Sequence, residues 1–272
     1  MKIGFLITAR LKSSRLPLKI LKDLNGKPVV NQIIDRAKAI QGISTIVLCT
    51  SPNPQDKPLI DIAKQNNIAY FLGDENDVLQ RLYDAATCYN LDYFLGITAD
   101  NPLFSIHYSN VIVDSITKQG HDFIKVEGLP LGAATYGMKY DAIKTVCSIK
   151  TVVNTEIWGY LINRPELFDI VTLKAEGRER DPDLRLTLDY KEDYRVLSHL
   201  YSNIPFETTL DLADAIEYLH HHPEIKAINQ HCTQRDLDEG IKKTIDRHYQ
   251  KHFTEIKNIK ENIYKNARRK QN

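Results

Sequence analysis

The sequence predicts a doubly wound α/β fold with a mostly parallel sheet and a helical C-terminal extension. Short, continuous apolar runs recur at 2–9, 45–50, 68–72 and 92–98. Strands that are apolar throughout, without alternation, need helices on both faces of their sheet. Between the runs, apolar residues return at helical spacing, so the first half reads as repeated βαβ units.

The elements follow in order. The first run, IGFLITA, leads directly into the basic loop ARLKSSRLPLKIL. Beyond it, Val30, Ile33, Ile34 and Ala37 share one helical face, with Pro28 suited to the first turn. Val78, Leu79, Leu82, Tyr83 and Ala86 form a second such face before the run at 92–98. After Gly120 the pattern loosens: a strand at 121–126, a Gly-rich connection EGLPLGAATYG, a helix around 154–163, a strand near 168–174, the polar loop EGRERDPD and a short strand in LRLTLDY. Mixed strand directions are expected there. Helical patterns dominate from 191, and Pro223 breaks one of them. From about 235 the spacing predicts one long amphipathic helix carrying Ile241, Ile245, Tyr249, Phe253, Ile256 and Ile263, which must pack on the body or on another subunit. The expected division is therefore 1–232 for the main domain and 233–272 for the extension.

At 272 residues, 42% hydrophobic and 26% charged, the chain has the makings of a full core. The net charge of +1 hides an uneven distribution: residues 241–272 hold ten Lys/Arg against three Asp/Glu, leaving about −6 for the rest. Because that basic charge is interleaved with apolar positions on one helix, it predicts a solvated face or a dimer contact, not nucleic-acid binding. The opening apolar run is interrupted by Arg10 and is too short for a span, and no small-residue cleavage site follows it. Neither a signal peptide nor membrane insertion is expected, and the location expected is cytoplasmic. Cys49, Cys88, Cys147 and Cys232 lie far apart without a C-x-x-C pair, and the first two sit in apolar patterns, which predicts reduced core residues.

In open α/β sheets ligands bind beyond the carboxyl ends of the strands, where ARLKSSRLPLKIL falls. The loop lacks both G-x-G-x-x-G and G-x-x-x-x-G-K-[ST], which weakens the dinucleotide reading and removes the P-loop one. Its Arg10, Arg15 and Lys19, with Ser13 and Ser14, instead suit several phosphate oxygens; the alternative is a solvated basic loop. Asp100, directly after the run at 92–98, sets a carboxylate at the same sheet edge, where it either holds Mg²⁺ against a phosphate or caps a turn or helix. Asp189 offers a second carboxylate from a distant part of the chain, as a cation bridging phosphates requires. Its alternative is a helix N-cap, with Glu192 completing a capping box. LHHHP at 219–223 is not read as a metal site, because consecutive helical residues point about 100° apart.

The stretch ARLKSSRLPLKILKDLNGKPVV resembles the A-R-x-x-S-x-R-L-P-x-K-x-L-x-x-L-x-G-K-P signature of the cytidylyltransferases that activate sialic acid and 3-deoxy-manno-octulosonate, nearest to the spore-coat-polysaccharide-type branch. GDENDVLQRLYDAA, ITADNPL, NTEIWGYLINRPELF, DLRLTLDYKEDY and DAIEYLHHHPEIKAIN continue the likeness to about residue 230. The resemblance implies a Rossmann-like nucleotide-diphospho-sugar transferase fold. It implies Mg²⁺-dependent transfer of a cytidylyl group from CTP to a sugar acid, sugar phosphate or related small acceptor, with release of pyrophosphate, for surface glycan synthesis. By the same resemblance the loop backbone from Ala9, with Arg10, Ser14, Arg15 and Lys19, holds the triphosphate, with Arg10, Lys19 and Asp100 as the catalytic set. Asp100 and Asp189 bind Mg²⁺, Asp77 to Arg81 lie near the base, Glu156 contacts substrate, and the protein is a homodimer. Lys12 falls at a variable position and is expected to be merely exposed.

The departures from that family pattern are specific. Leu18 stands where the family has Gly, and Thr98-Ala99-Asp100 where it has T-G-D. Ala134 and Tyr136 replace acidic residues after the Gly of LPLGAATYGM, and Glu156-Ile157 replaces a Glu-His pair, so an altered acceptor pocket is expected. Two other readings compete. A glycosyltransferase on a similar sheet is disfavoured because T-A-D-N-P lacks a D-x-D pair. A non-catalytic subunit with a degenerate nucleotide site is disfavoured by the intact phosphate-and-metal set.

Overall fold

The computed structural model describes residues 1–271, and β1 (Ile3–Thr8) is buried at all six positions. Ile3, Phe5 and Ile7 enter one hydrophobic cluster and Leu6 another, so each face of the strand meets its own core. The same split holds in β4 (Thr45–Thr50) and β6 (Tyr93–Thr98). With β5 (Ala69–Leu72), β7 (Phe123–Glu127), β8 (Tyr136–Lys139) and β9 (Ile170–Lys174) these form a seven-stranded sheet in the order β5-β4-β1-β6-β8-β7-β9. β2 (Asp23–Leu24) and β3 (Lys27–Pro28) make a separate hairpin around Asn25 and Gly26, both at positive φ as its tight turn demands.

Helices cover both faces. α1 (Val29–Lys38), α2 (Lys57–Gln65), α4 (Ile106–Lys118), α7 (Lys191–Asn203) and α8 (Leu212–His221) pack on the Phe5 and Ile7 side. α3 (Val78–Cys88), α5 (Tyr140–Ile149), α6 (Gly159–Ile162), α10 (Glu239–Lys251) and α11 (Phe253–Gln271) pack on the Leu6 side. The one-turn α9 (Pro223–Lys226) follows the break at Pro223. Each fully buried Leu or Ile on these faces contributes about 1.5–3 kcal/mol.

Within the seven-stranded sheet the strand pairs are parallel except those of β8, which runs antiparallel to both β6 and β7. Gly96 lies opposite Tyr136 in that pairing, and a Cβ on Gly96 would come within 2.1 Å of the Tyr136 ring. β8 begins inside the expected irregular connection EGLPLGAATYG, and α5 fills a stretch to which the sequence pattern assigns no element. The helix expected around 154–163 is reduced to α6, because the Asn154 and Thr155 side chains bond to backbone N–H groups and hold 150–158 irregular. LRLTLDY is extended and buries Leu184, Leu186 and Leu188, but it is no strand of the sheet. Its backbone bonds to two loops: Leu131 N to Leu184 O at 2.9 Å, Leu186 N to Leu131 O at 2.8 Å and Leu188 N to Asp100 O at 2.8 Å.

The tail is two helices broken at His252, not one. Ile245, Tyr249 and Ile256 are buried against the α3/α5/α6 side, whereas Ile241 and Phe253, expected in the same stripe, are 41% and 37% exposed. Polar ties reinforce the packing: Tyr160 OH and Arg164 Nη2 reach Asp246 at 2.8 and 2.7 Å, Lys260 Nζ reaches Leu167 O at 2.6 Å, and Tyr264 OH reaches Asp122 at 2.7 Å. Cys49 is buried as expected, but Cys88, at the last turn of α3, is exposed; all four cysteines are free.

Candidate active site

Beyond the carboxyl ends of β1 and β6, three stretches of chain converge: the loop after Thr8, the turn after Thr98, and the extended segment ending at Asp189. Gly132 lets the third approach the second. At φ +93 it has a conformation costly for other residues, and a Cβ there would lie 2.7 Å from both Asn101 Oδ1 and Thr187 N. Leu18 turns the first loop just before Lys19 with φ 52, a left-handed conformation that costs a bulky residue about 1–2 kcal/mol and glycine little.

The result is a compact charge network. Lys19 Nζ lies 2.6 Å from Asp100 Oδ2 and 2.8 Å from Asp189 Oδ1, and Arg15 Nη2 lies 2.8 Å from the same Asp189 oxygen. Arg185 Nη2 reaches the other Asp189 oxygen at 3.2 Å. Burial opposes ionisation of Asp189, but the Lys19 ammonium and then the two guanidinium groups outweigh it and hold the carboxyl below its ordinary range. Burial likewise opposes the charge on Lys19, and Asp100 with Asp189 overcomes it, raising the ammonium above its usual value. Thr98 Oγ1 donates to Asp100, which therefore caps no helix; Ser105 caps α4. Asp189 caps none either. Asp193, not Glu192, reaches back, its Oδ2 accepting the N–H groups of Asp189 and Tyr190 at 2.9 Å each.

Of this network Arg15, Lys19 and Asp100 line an open cleft of about 370 Å³, whereas Asp189 and Arg185 are buried behind it. Ala9, Arg10, Ser14, Arg15, Lys19 and Asp100 line it, as do Arg81 and Glu156. The Ala9 N–H is spent on Cys49 O at 3.0 Å. Arg10 bonds Glu75 O at 2.6 Å and lies 3.6 Å from Glu156. Arg81 is buried, donating to Asp74 O at 2.8 Å, while its Nε and the Nη1 of Arg15 are buried donors without protein partners among the described residues. Asp77 does not line the cleft: its buried carboxylate caps α3, accepts from Thr155 Oγ1 at 2.9 Å and pairs with Lys150, while Asn76 and Val78 on either side face the cleft. Lys12 is paired with Glu75 at 3.3 Å and mostly exposed.

The sequence reading passed over Arg185, Asp193, Tyr190, Asn154, Trp158 and Arg235. For Arg185 the signal is present: L-R-L-T-L-D alternates, setting three leucines on the apolar side and Arg185, Thr187 and Asp189, buried as well, on the polar one. Tyr190, whose ring lies 4.9 Å from the Arg15 guanidinium, follows directly. Outside the cleft, His220, His221 and His222 bond to three different partners, Asp181, Glu217 O and Glu224.

A family model described as cytidylyltransferase matches residues 5–213. The chain belongs to the cytidylyltransferase family. It is 25% identical over 243 residues to the spore coat polysaccharide biosynthesis protein SpsF of Bacillus subtilis, an alignment covering 87% of this chain and 99% of that protein. It is 36% identical over 105 residues to a 3-deoxy-manno-octulosonate cytidylyltransferase of Chloroherpeton thalassium, over 38% of this chain and 41% of the other. Its fold matches a cytidylyltransferase structure from Leptospira borgpetersenii with a TM-score of 0.77 at 28% identity, over 87% of this chain and all of that one.

The fold is thus the α/β architecture of a nucleotidyltransferase, and the departures from the family pattern acquire physical meaning. At Leu18 the left-handed backbone explains why glycine suits the position. Tyr136 packs edge-on to Trp158, ring centroids 4.7 Å apart, within a cluster that includes Phe94 and Phe123. In this cytidylyltransferase the cleft wall at Trp158 is therefore backed by aromatic rings. Among the described residues no helix is long and apolar enough to cross a membrane.

Proposed function

We propose that this enzyme transfers the cytidylyl group of CTP to a sugar acid or related small acceptor in the cytoplasm, with Mg²⁺ and release of pyrophosphate, for surface glycan synthesis. The observation that carries the reading is the single ammonium of Lys19 held between Asp100 and Asp189 beside Arg15. Two carboxylates converging on one cation-sized position fit Mg²⁺, a hard ion that takes one or two carboxylates and completes its shell with phosphate oxygens and water. Among the described residues no group of three or more His, Cys, Asp or Glu side chains is arranged to hold a metal ion, so an ion on these two carboxylates would need the nucleotide's oxygens and water to complete its shell. Asp100 and Asp189 would hold it, and when bound it supplies charge neutralisation on the phosphates.

The chain's own cations do the rest. As an acceptor hydroxyl oxygen bonds to the α-phosphorus and the bond to pyrophosphate breaks, the hydroxyl proton is released and negative charge grows on the α-phosphate and the leaving group. Arg10 and Arg15, already held by protein contacts, would stabilise the second, and Lys19, giving up its two carboxylates to the ion, would turn to the first. The names borne by the relatives, a spore-coat-polysaccharide protein and a 3-deoxy-manno-octulosonate cytidylyltransferase, support a sugar-acid type of acceptor. The four free cysteines support a reducing compartment. Thermal stabilisation by CTP with Mg²⁺ exceeding that by ATP, GTP or UTP, together with pyrophosphate release on adding acceptor, tests the reading. Equal shifts with all four nucleotides defeat it.

A further inference from the structure

The chain leaves its main body beside the Asp189 loop. The Tyr190 hydroxyl donates to Thr233 O at 3.3 Å and Arg185 Nη1 to Gln234 Oε1 at 3.2 Å. Arg185 and Tyr190 are also the groups that border Asp189 and Arg15, so residues 233 and 234 are tied to the charge network itself. The next side chain, Arg235, lines the same cleft as Lys19 and Asp100.

Arg235 differs from the other cations there. Arg10 lies near Glu156, Lys12 near Glu75, Arg15 on Asp189, Lys19 on both aspartates, and Arg81 on a backbone carbonyl. Arg235 is exposed to solvent, and among the described residues it has neither an ion pair nor a hydrogen bond. Its sequence neighbour Asp236 does not neutralise it, since that carboxylate is held by Lys242 at 2.6 Å and by the N–H of Leu237 at 2.7 Å. A guanidinium left without an anion on the wall of a cleft is a ready site for one, and its fork matches a carboxylate or phosphate.

We infer that Arg235 is a specificity-determining residue that binds the anionic group of the acceptor. The proposal rests on the cytidylyl-transfer reading above. The triphosphate already has three cations on the first loop, and an acceptor approaching Asp100 and Asp189 brings its own negative charge toward two carboxylates. Arg235, on the Asp189 side, offsets that repulsion. It also lies beyond residue 213, where the family model ends, on the segment that leads into the C-terminal helices.

The test uses the full-length protein with Mg²⁺. Binding of CTP is measured for the wild type and for Arg235→Gln and Arg235→Lys, and pyrophosphate release is then followed with CTP and a panel of sugar acids, sugar phosphates and uncharged sugars. Expected is unchanged CTP binding in all three proteins, turnover by the wild type with an anionic panel member, and an acceptor KM raised about tenfold or more in Arg235→Gln with kcat within twofold. Arg235→Lys should recover part of the loss. A rise in KM for CTP in place of the acceptor, an unchanged acceptor KM, or a wild type that turns over only uncharged members or none overturns the proposal. Failure of the wild type to bind CTP at all shows instead that the cytidylyl reading is wrong, and the inference falls with it.

Discussion

Lys19 Nζ lies 2.6 Å from Asp100 Oδ2, joining the loop after the first strand to the turn after β6 through one ion pair. Asp189 completes the set but sits in a different environment: its side chain is 5% exposed against 21% for Asp100, and three cations surround it. Replacement by asparagine should separate the two. Asp100→Asn is expected to lower turnover by about 10²-fold or more, in line with losing one charge-positioning group, while shifting the unfolding free energy by no more than about 1 kcal/mol. Asp189→Asn leaves Arg15, Lys19 and Arg185 around a neutral amide and should cost about 3 kcal/mol in stability as well as activity. Urea denaturation paired with pyrophosphate release distinguishes them.

Leu18 supplies a second prediction. Its φ of 52 penalises any Cβ, so Leu18→Gly exchanges that strain for a more flexible unfolded chain. The expected result is retained activity and stability equal to the wild type or higher by up to about 1 kcal/mol. Leu18→Val, β-branched at the same φ, should be less stable than the wild type by about 1 kcal/mol. A shift in urea midpoint at constant slope reads both.

Gly132 and Gly26 form a matched pair. Both have positive φ, but a Cβ on Gly26 meets nothing within 4 Å, whereas one on Gly132 meets Asn101 and the Thr187 backbone. Gly26→Ala should cost about 1 kcal/mol from the backbone conformation alone. Gly132→Ala should cost about 2 kcal/mol or more and reduce kcat as well, because relief of the contact pushes the Asp189 segment away from Asp100.

Asp246 carries a pH prediction. The hydrogen bond from Tyr160, and then Arg164, hold its carboxyl below the ordinary range despite some burial. A depressed folded pKa means that its contribution is fully present above the unfolded value of about 3.9 and is lost as pH falls through the lower folded value. Amide exchange across 158–168, taken relative to the intrinsic rate at each pH, should therefore be slow and flat above about pH 5 and accelerate in acid. In Asp246→Asn it should be faster above pH 5, and the acid step should vanish.

Much of this molecule is legible from its residues. The runs at 2–9, 45–50 and 92–98 declare strands because they are apolar on both faces, and strand-end placement singles out Arg15, Lys19 and Asp100. The misreadings have physical causes. β8 is four residues, Tyr-Gly-Met-Lys, with no β-branched side chain and no alternation to mark it. The 184–188 segment reads as a strand because alternation records one apolar and one polar side of an extended chain, whether the backbone partner is a sheet or, as here, two loops. The tail's apolar residues recur mostly four apart, longer than the 3.6-residue turn, so the stripe drifts around the helix. Ile241 and Phe253 consequently drift into solvent, and the break at His252 resets the stripe. Arg235 carries no pattern at all; only the bonds at Thr233 and Gln234 reveal where it points.

The ties from α10 and α11 also bear on how the protein is born. Ribosomal synthesis makes the N-terminal part first, and the sheet with its Lys19 loop can form early. Asp246, Lys260 and Tyr264 emerge only after the residues they grip, Arg164, Leu167 and Asp122, have waited in the nascent chain. The stretch bearing Arg164 and Leu167 is thus clamped last, so a polypeptide stalled before α10 would carry its basic loop on a body whose 160–168 segment is still untied.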